Sequence, residues 1–314
     1  MPLLVYLSVF LKTRALGGQT IQCLSTWTSP SFGLHECVSE PSAVREPKRM
    51  NRFLKSQQLQ AMAWSRFGIG TASDWLSLPL DSEITFSQDS AAVATSSFES
   101  YQFGNAVFLD SASLYNSNRL DGVKGYLEEL NPSLLIVETS SEQRIDVPNT
   151  HSVAADAVLT RTKPSKWKQF RRCIWNKEEC LENWSSLLDF YETRTGASDF
   201  LRWRFDQYRK RLLREFPKNN CNWFAALEDK SIVGGVGVFW GDVYGSVQEL
   251  YVDSEHRRTG IGTELIEYVI HNRPSHCQLV AVADREDGAE RFYRKLGFQL
   301  QGIQQWIKPR GNGS

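Results

Sequence analysis

The last third of the chain contains apolar runs whose spacing alternates between that of strands and that of helices. Residues 223–227 and 232–240 are apolar runs joined by a short polar turn, which predicts a β-hairpin. A third apolar run after the next turn predicts another strand, at residues 247–252. The segments that follow predict a helix, a strand and a short helix, at residues 261–270, 279–283 and 289–296. This order predicts an antiparallel meander that continues into a βαβα unit.

The pattern before residue 160 is weaker and predicts a second α/β unit. Apolar residues recur with helical spacing within residues 53–75, and Gly68 and Gly70 predict the end of that helix. The chain then alternates short apolar runs with one amphipathic stretch, at residues 91–95, 106–109, 120–130 and 134–138. A basic segment around Pro164 predicts a connector. One strand and two helices are predicted after it, at residues 170–175, 180–191 and 200–216.

Length and composition indicate a globular protein with two domains. The chain has 314 residues, of which 41% are hydrophobic. Residues 1–49 lack periodicity and are rich in Ser, Thr, Pro and Gly, so we expect a disordered leader or a true start at Met50. Residues 50–160 then form an N-terminal α/β domain, and residues 165–310 form the C-terminal domain. The predicted fold class is α/β (α+β).

Charge and cysteine content narrow the expected partners. Basic and acidic residues number 36 each, so no global field attracts nucleic acid or an anionic membrane, and we expect neither as a partner. The six cysteines form no CxxC pair and no zinc-type spacing with histidine. We therefore expect reduced thiols, no bound metal and a cytoplasmic location. The apolar run at residues 3–11 is too short to span a bilayer and follows no basic segment.

The most informative segment is a strand that enters a basic, glycine-containing turn at the start of a helix. The amide groups of a first helical turn have no intrahelical partner, glycine allows a ligand to approach them, and arginine adds positive charge. Each charge-assisted hydrogen bond to a phosphate contributes about 1.5–3 kcal/mol. The segment therefore predicts an anion site at Arg257, Arg258, Thr259, Gly260, Ile261, Gly262 and Thr263, directly after the strand that contains Leu250, Tyr251 and Val252.

Two motifs in this region resemble those of the GNAT superfamily of N-acyltransferases. Arg257, Gly260 and Gly262 match Arg/Gln-x-x-Gly-x-Gly/Ala, and downstream Tyr293 begins a match to Tyr-x-x-x-Gly-Phe. The resemblance covers residues 222–308 and extends more loosely back to Lys168. It implies a mixed central sheet flanked by helices, with a V-shaped splay between two strands. Residues 50–160 more loosely resemble a degenerate second copy of the same fold.

The resemblance also implies a ligand and a reaction. Acetyl-CoA is the expected co-substrate, with its pantetheine arm along residues 249–252 and its pyrophosphate on residues 257–263. An amine then attacks the thioester directly, with Glu249 as base and Tyr293 as the acid that protonates the leaving thiolate. The chain departs from the family pattern before its last helix, where Asp284, Glu286 and Asp287 stand in place of an asparagine.

Three functions remain open from the sequence. The first is acetylation of an amine on a small molecule or protein, and the second is a non-catalytic acyl-CoA sensor, which the altered asparagine position favours. The third is acetylation of a macromolecular amine, for which the basic helix at residues 202–214 is the one local hint. The acceptor itself is not encoded in any pattern of the chain.

Overall fold

The structure is a computed structural model that describes most of the chain beyond residue 56 and two short segments before it. The described residues are 10–16, 19–25, 57–79, 82–86, 90–95, 106–110, 127, 134–139, 145, 147–164, 170–215, 220–286 and 288–310. Within them, no helix has the length and apolar content needed to cross a membrane.

The described chain contains both strands and helices. The strands are β1 Phe10–Leu16, β2 Gln19–Ser25, β3 Ser82–Phe86, β4 Ser90–Thr95, β5 Val107–Leu109, β6 Leu135–Thr139, β7 His151–Arg161, β8 Cys173–Trp175, β9 Cys221–Glu228, β10 Ser231–Trp240, β11 Tyr244–Val252, β12 Gln278–Asp284 and β13 Gln299–Pro309. The helices are α1 Gln57–Phe67, α2 Ile69–Leu76, α3 Lys177–Glu182, α4 Trp184–Thr195, α5 Asp199–Glu215, α6 Ile261–His271 and α7 Ala289–Lys295.

One mixed sheet joins all the described strands except β1 and β2, which pair only with each other. The strand order is β3-β4-β5-β6-β13-β7-β12-β11-β10-β9-β8. The pairs β5–β6 and β11–β12 are parallel, and the other pairs in this sheet are antiparallel. The mixed sheet with helices on both faces confirms the predicted fold class.

The two ends of the sheet repeat one strand order. An antiparallel meander leads into a parallel pair in β3–β6 and again in β9–β12. The strands that end these two segments are exchanged, because β7 pairs with β12 and β13 pairs with β6. The division at residues 160–165 stays a prediction, as does the second copy of the fold, and the two segments share one sheet.

Each face of the sheet has its own apolar core. The α1, α2, α4 and α5 face buries Trp75, Tyr191, Trp223 and other aromatic residues. The α6 and α7 face buries mostly aliphatic residues, together with a few aromatic ones that include Trp240 and Tyr293. Full burial of a large apolar side chain contributes about 1.5–3 kcal/mol, so these two cores account for much of the stability of the sheet.

Prediction from the pattern was most accurate after residue 220. Each predicted strand and helix there is present, with ends that move by three residues or fewer. Strands β1, β2, β3, β7 and β13 were not predicted, and Gly68 separates two helices rather than ending one. β7 lies in the middle of the sheet, and its second half is buried on both faces, so it lacks the alternation of a half-exposed strand.

The predicted helix at residues 120–130 lies outside the described residues except for Leu127. Nothing in the structure tests the predicted leader, because most of residues 1–49 also lie outside them.

Candidate active site

A slot opens between the two parallel strands at the centre of the C-terminal half. β11 pairs with β12 only through Tyr244, Gly245 and Ser246, which face Gln278, Leu279 and Val280. β11 nevertheless continues to Val252 and β12 to Asp284. The strands therefore diverge after Ser246, which is the predicted V-shaped splay.

A β-bulge in β11 forms one wall of the slot. Opposite it on β10, Gly235 pairs with Tyr251 and Gly237 pairs with Gln248. Between these two pairs, β11 therefore has one residue more than β10. Glu249 lies within the bulge and has a φ of 50°, which is unusual for a residue with a side chain. The extra residue ends the regular alternation of side chains along the strand.

The bulge corrects one expectation from the sequence. Strict alternation places Val247, Glu249 and Tyr251 on the same face of the sheet. In the structure Val247 packs in the α6 and α7 core, whereas Tyr251 packs against the core on the opposite face. Glu249 joins Tyr251 on that opposite face, because its carboxylate contacts Tyr208 of α5.

The predicted base, Glu249, is held at both its backbone and its side chain. Its carboxylate Oε1 lies 2.8 Å from Nε of Arg204 and accepts a 3.1 Å hydrogen bond from the Tyr208 hydroxyl. Its carbonyl oxygen accepts a 2.7 Å hydrogen bond from the hydroxyl of Tyr191 on α4. The side chain keeps 26% of its surface exposed despite these contacts.

The predicted cofactor turn follows β11 directly. A short 3₁₀ helix, Ser254–His256, leads to Gly260, which adopts a φ of 95° as the residue before α6. A Cβ atom added to Gly260 would have no neighbour within 4 Å, so the start of α6 opens to solvent. The first amide groups of α6 have no intrahelical partner and lie next to this open space.

Arginine side chains surround this turn. Arg257 donates from Nε to the carbonyl of Val252 at 3.2 Å, and its guanidinium lies 5.5 Å from the ring centre of Tyr251. Arg258 is exposed and has a φ of 65°. Thr259 donates its hydroxyl to the carbonyl of His256 at 2.7 Å, which fixes the turn between the arginines and the helix.

Asp253 anchors the turn to the body of the protein. Its side chain is almost fully buried and lies 2.9 Å from Nη2 of Arg194 on α4. Desolvation raises the pKa of this carboxyl, but the hydrogen bonds from the Glu255 amide and from Arg194 outweigh it and hold the pKa below its usual range. Asp253 is therefore a stable anion that fixes the exit of β11.

Arg172 is a further cation at this turn that the sequence did not indicate. Its Nη1 lies 3.3 Å from the carboxylate of Glu264 in the first turn of α6. Its Nη2 donates to the hydroxyl of Thr259 at 3.4 Å. No local motif identifies this arginine, nor Tyr191, Arg204 or Tyr208, because tertiary packing brings all four to the site from distant segments.

The predicted acid, Tyr293, is buried on α7. Its ring centre lies 5.2 Å from that of Phe292 and 5.1 Å from that of Phe298. Tyr293 belongs to the core on the α6 and α7 face, while the Glu249 carboxylate lies on the opposite face. The two predicted catalytic side chains thus approach the sheet from opposite faces.

The acidic stretch before α7 begins where β12 ends. Asp284 accepts a 2.7 Å hydrogen bond from the amide of Glu286, which closes a tight turn. Asp287 lies outside the described residues. The carboxylate of Asp284 therefore holds local backbone within the stretch that departs from the family pattern.

Comparisons with known proteins agree with this geometry. The family model "Acetyltransferase (GNAT) domain" matches residues 219–300. A GNAT-family acetyltransferase from Colwellia psychrerythraea has a similar structure, with 12% identity, coverage of 85% of this chain and 100% of its own, and a TM-score of 0.51. A GCN5-related N-acetyltransferase from Kribbella flavida shows 12% identity, coverage of 73% and 90%, and a TM-score of 0.47. No curated protein matches the chain.

The family match coincides with the splayed strands and with the glycine turn at the start of α6. At this level of identity the structural likeness concerns the fold alone. Residues 219–300 of this chain are a GNAT acetyltransferase domain.

Proposed function

We propose that the protein is an N-acetyltransferase that moves an acetyl group from acetyl-CoA to an amine. The observation that carries the proposal is the junction of an open strand slot with an accessible, arginine-rich helix start. The turn, from Arg257 to Thr263, holds the pyrophosphate. Leu250, Tyr251 and Val252 present their backbone to the pantetheine arm, which directs the thioester into the slot.

The proposed reaction is a direct transfer. Glu249 takes a proton from the ammonium form of the acceptor, and the amine nitrogen then attacks the thioester carbon. As the tetrahedral intermediate collapses, the carbon–sulfur bond breaks and the departing thiolate takes a proton from Tyr293. The nitrogen gives up its second proton, which returns to the tyrosinate through water, and the Glu249 carboxyl releases its proton to solvent. A backbone amide in the slot that donates to the oxyanion would lower the barrier by about 2.7–4 kcal/mol. Arg204 keeps the Glu249 carboxylate in place beside the slot.

The proposed acceptor is an amine on a small molecule or a protein. The basic helix α5 gives little support to a macromolecular acceptor, because several of its cations are engaged within the protein. Arg204 pairs with Glu249, Lys210 with Asp206, and Arg211 is buried and donates to the Leu78 carbonyl. A non-catalytic sensor remains the second candidate, since acidic residues stand where the family has an asparagine. The four described cysteines in the C-terminal half are free thiols, in keeping with the proposed cytoplasmic location: Cys173, Cys180, Cys221 and Cys277.

The first test is calorimetric titration of acetyl-CoA and free CoA into the full chain. We expect sub-millimolar binding of both. The Gly260→Asp variant should lose that binding, because it places a negative charge where the pyrophosphate lies. Circular dichroism shows whether the variant is folded. Absence of binding to the folded wild-type protein would refute the cofactor site.

Turnover is then measured as thioester cleavage with a panel of amines. Tyr293→Phe should lower kcat by about 100-fold and leave acetyl-CoA affinity unchanged, because it removes one proton transfer. Glu249→Gln should lower kcat by a similar factor at neutral pH. Unchanged turnover in either variant removes that residue from the mechanism. Tight cofactor binding without turnover on any amine would favour the sensor.

A further inference from the structure

The bulge at Glu249 needs an external contact to maintain its conformation. A glutamate with a φ of 50° occupies the left-handed region, which disfavours residues other than glycine. β12 does not support this part of β11, because the pairing between the two strands ends at Ser246. Other elements of the protein must therefore hold the bulge.

Tyr191 makes that contact through its hydroxyl. The hydroxyl donates to the Glu249 carbonyl at 2.7 Å, and the tyrosine is 1% exposed. Its ring is fixed on several sides by aromatic neighbours, with ring centres 4.6–6.2 Å away: Phe190, Phe205, Trp223 and Tyr251. A ring fixed in this way holds its hydroxyl at one point, as a positioning contact requires.

β10 leaves space for this hydroxyl. Gly235 lies opposite Tyr251 across the bulge, and a Cβ added to Gly235 would stand 2.8 Å from the Tyr191 hydroxyl oxygen. Gly235 on β10 thus leaves room for the Tyr191 hydroxyl, which bonds to the strained Glu249.

The side chain of Glu249 is held by a different helix. Arg204 and Tyr208 of α5 both contact carboxylate oxygen Oε1. With the backbone fixed from α4 and the carboxylate fixed from α5, Glu249 has one orientation at the slot. Release of either end would let the carboxylate leave that orientation.

We propose that Tyr191 is a positioning residue for acetyl transfer, because it holds the β11 bulge and thereby directs the Glu249 carboxylate to the slot. This inference rests on the proposed function. Tyr191 itself does not touch the reacting atoms, and its effect on turnover passes through Glu249.

The test is a double-mutant cycle on turnover with Tyr191→Phe and Glu249→Gln. If Tyr191 acts through Glu249, Tyr191→Phe lowers kcat about tenfold in the wild-type protein and less than twofold in the Glu249→Gln background. Tyr268→Phe is the matched control, since Tyr268 packs on α6 against Phe170 and Phe224, away from the bulge. It should lower kcat in neither background. An equal loss in both backgrounds for Tyr191→Phe, or no loss in the wild-type protein, overturns the proposal.

A second measurement separates this proposal from the proposed function. Amide hydrogen exchange of residues 248–252 should become at least tenfold faster in Tyr191→Phe, while exchange in β9 stays unchanged. If the wild-type protein acetylates no amine, the proposed function fails and exchange alone decides whether Tyr191 holds the bulge. Unchanged exchange at residues 248–252 refutes the role of Tyr191 whatever the activity.

Discussion

Two helices in this protein begin with the same four residues, Gly-Ile-Gly-Thr, yet their surroundings differ completely. Residues 68–71 start α2, and residues 260–263 start α6. The glycine before each helix has nearly the same φ, 94° at Gly68 and 95° at Gly260. Each tetrapeptide therefore offers outward-pointing amide groups that suit an anion.

At α2 the anion is part of the protein. The Glu138 carboxylate accepts a 2.9 Å hydrogen bond from the amide of Thr71, and a Cβ added to Gly68 would lie 2.1 Å from its carboxyl carbon. Burial raises the pKa of Glu138 to about 7, although hydrogen bonds from the α2 amides oppose the increase. This helix start is closed by a strand residue from β6.

At α6 the corresponding space is open. Gly260 is exposed, and an added Cβ would meet nothing within 4 Å. A glycine-rich helix start therefore predicts a bound anion, but it does not distinguish a ligand from a side chain of the same protein. The tertiary structure decides, through the residue that lies in front of the amide groups.

The largest expected difference between the two sites is in stability. Gly68→Ala should lower the free energy of unfolding by about 4 kcal/mol, because it adds backbone strain of about 1–3 kcal/mol and disrupts a buried carboxylate worth about 1–3 kcal/mol. Gly260 also has a positive φ, but it lies in the left-handed region with open space around it, so Gly260→Ala should cost about 1 kcal/mol. Urea unfolding followed by tryptophan fluorescence measures both. Equal losses would mean that Glu138 does not fill the α2 site.

The second-largest expected effect is the change in the free energy of unfolding with pH. Burial raises the pKa of Glu138 from 4.5 to about 7, and burial likewise raises the pKa of Asp74, which accepts a 2.8 Å hydrogen bond from Gln304, to about 7. A carboxyl with a raised pKa in the folded state stabilises the protein below its unfolded pKa, and this stabilisation is lost as the pH rises through 7. The Glu138 carboxyl alone should therefore lower the free energy of unfolding by about 2.5 kcal/mol between pH 5 and pH 8, and Asp74 acts in the same direction.

The matched variant for this prediction is Glu138→Gln, which keeps the shape of the side chain and removes its titration. Its unfolding free energy should depend less steeply on pH than that of the wild-type protein over the same range. Urea unfolding at several pH values gives both slopes. A wild-type stability that rises from pH 5 to pH 8, or an unchanged slope in Glu138→Gln, contradicts the assignment.

The α6 site was predictable from sequence because its parts are local. The strand, Arg257, Gly260 and Gly262 all lie within 14 consecutive residues, so a single sequence motif describes them. The α2 site has the same tetrapeptide, but its anion comes from Glu138, 67 residues after Thr71. Nothing in the sequence around Gly68 reveals that contact.

The conformation of Glu249 could not be predicted from the sequence either. A period of two residues along β11 predicts one face for Val247, Glu249 and Tyr251, and the bulge breaks that period. The bulge is held by Tyr191, which is distant in the chain and carries no motif. The exchange of β7 and β13 is hidden for the same reason, since pairing between distant strands is a tertiary property.

The smallest expected effect is on acetyl-CoA affinity, which should depend on the arginine at the α6 start and not on the one at the α2 start. Arg257→Ala should weaken acetyl-CoA binding by about 30-fold, equivalent to about 2 kcal/mol, because it removes a charge-assisted contact to phosphate. Arg66, two residues before Gly68, pairs with Asp110 at 3.3 Å. Arg66→Ala is therefore the control, and it should leave the affinity unchanged, since the nearby α2 start already holds the Glu138 carboxylate. Calorimetry at two salt concentrations measures both variants, and the affinity of Arg257→Ala should depend less on salt. Equal weakening by both substitutions would show that general positive charge, rather than the open turn at α6, attracts the cofactor.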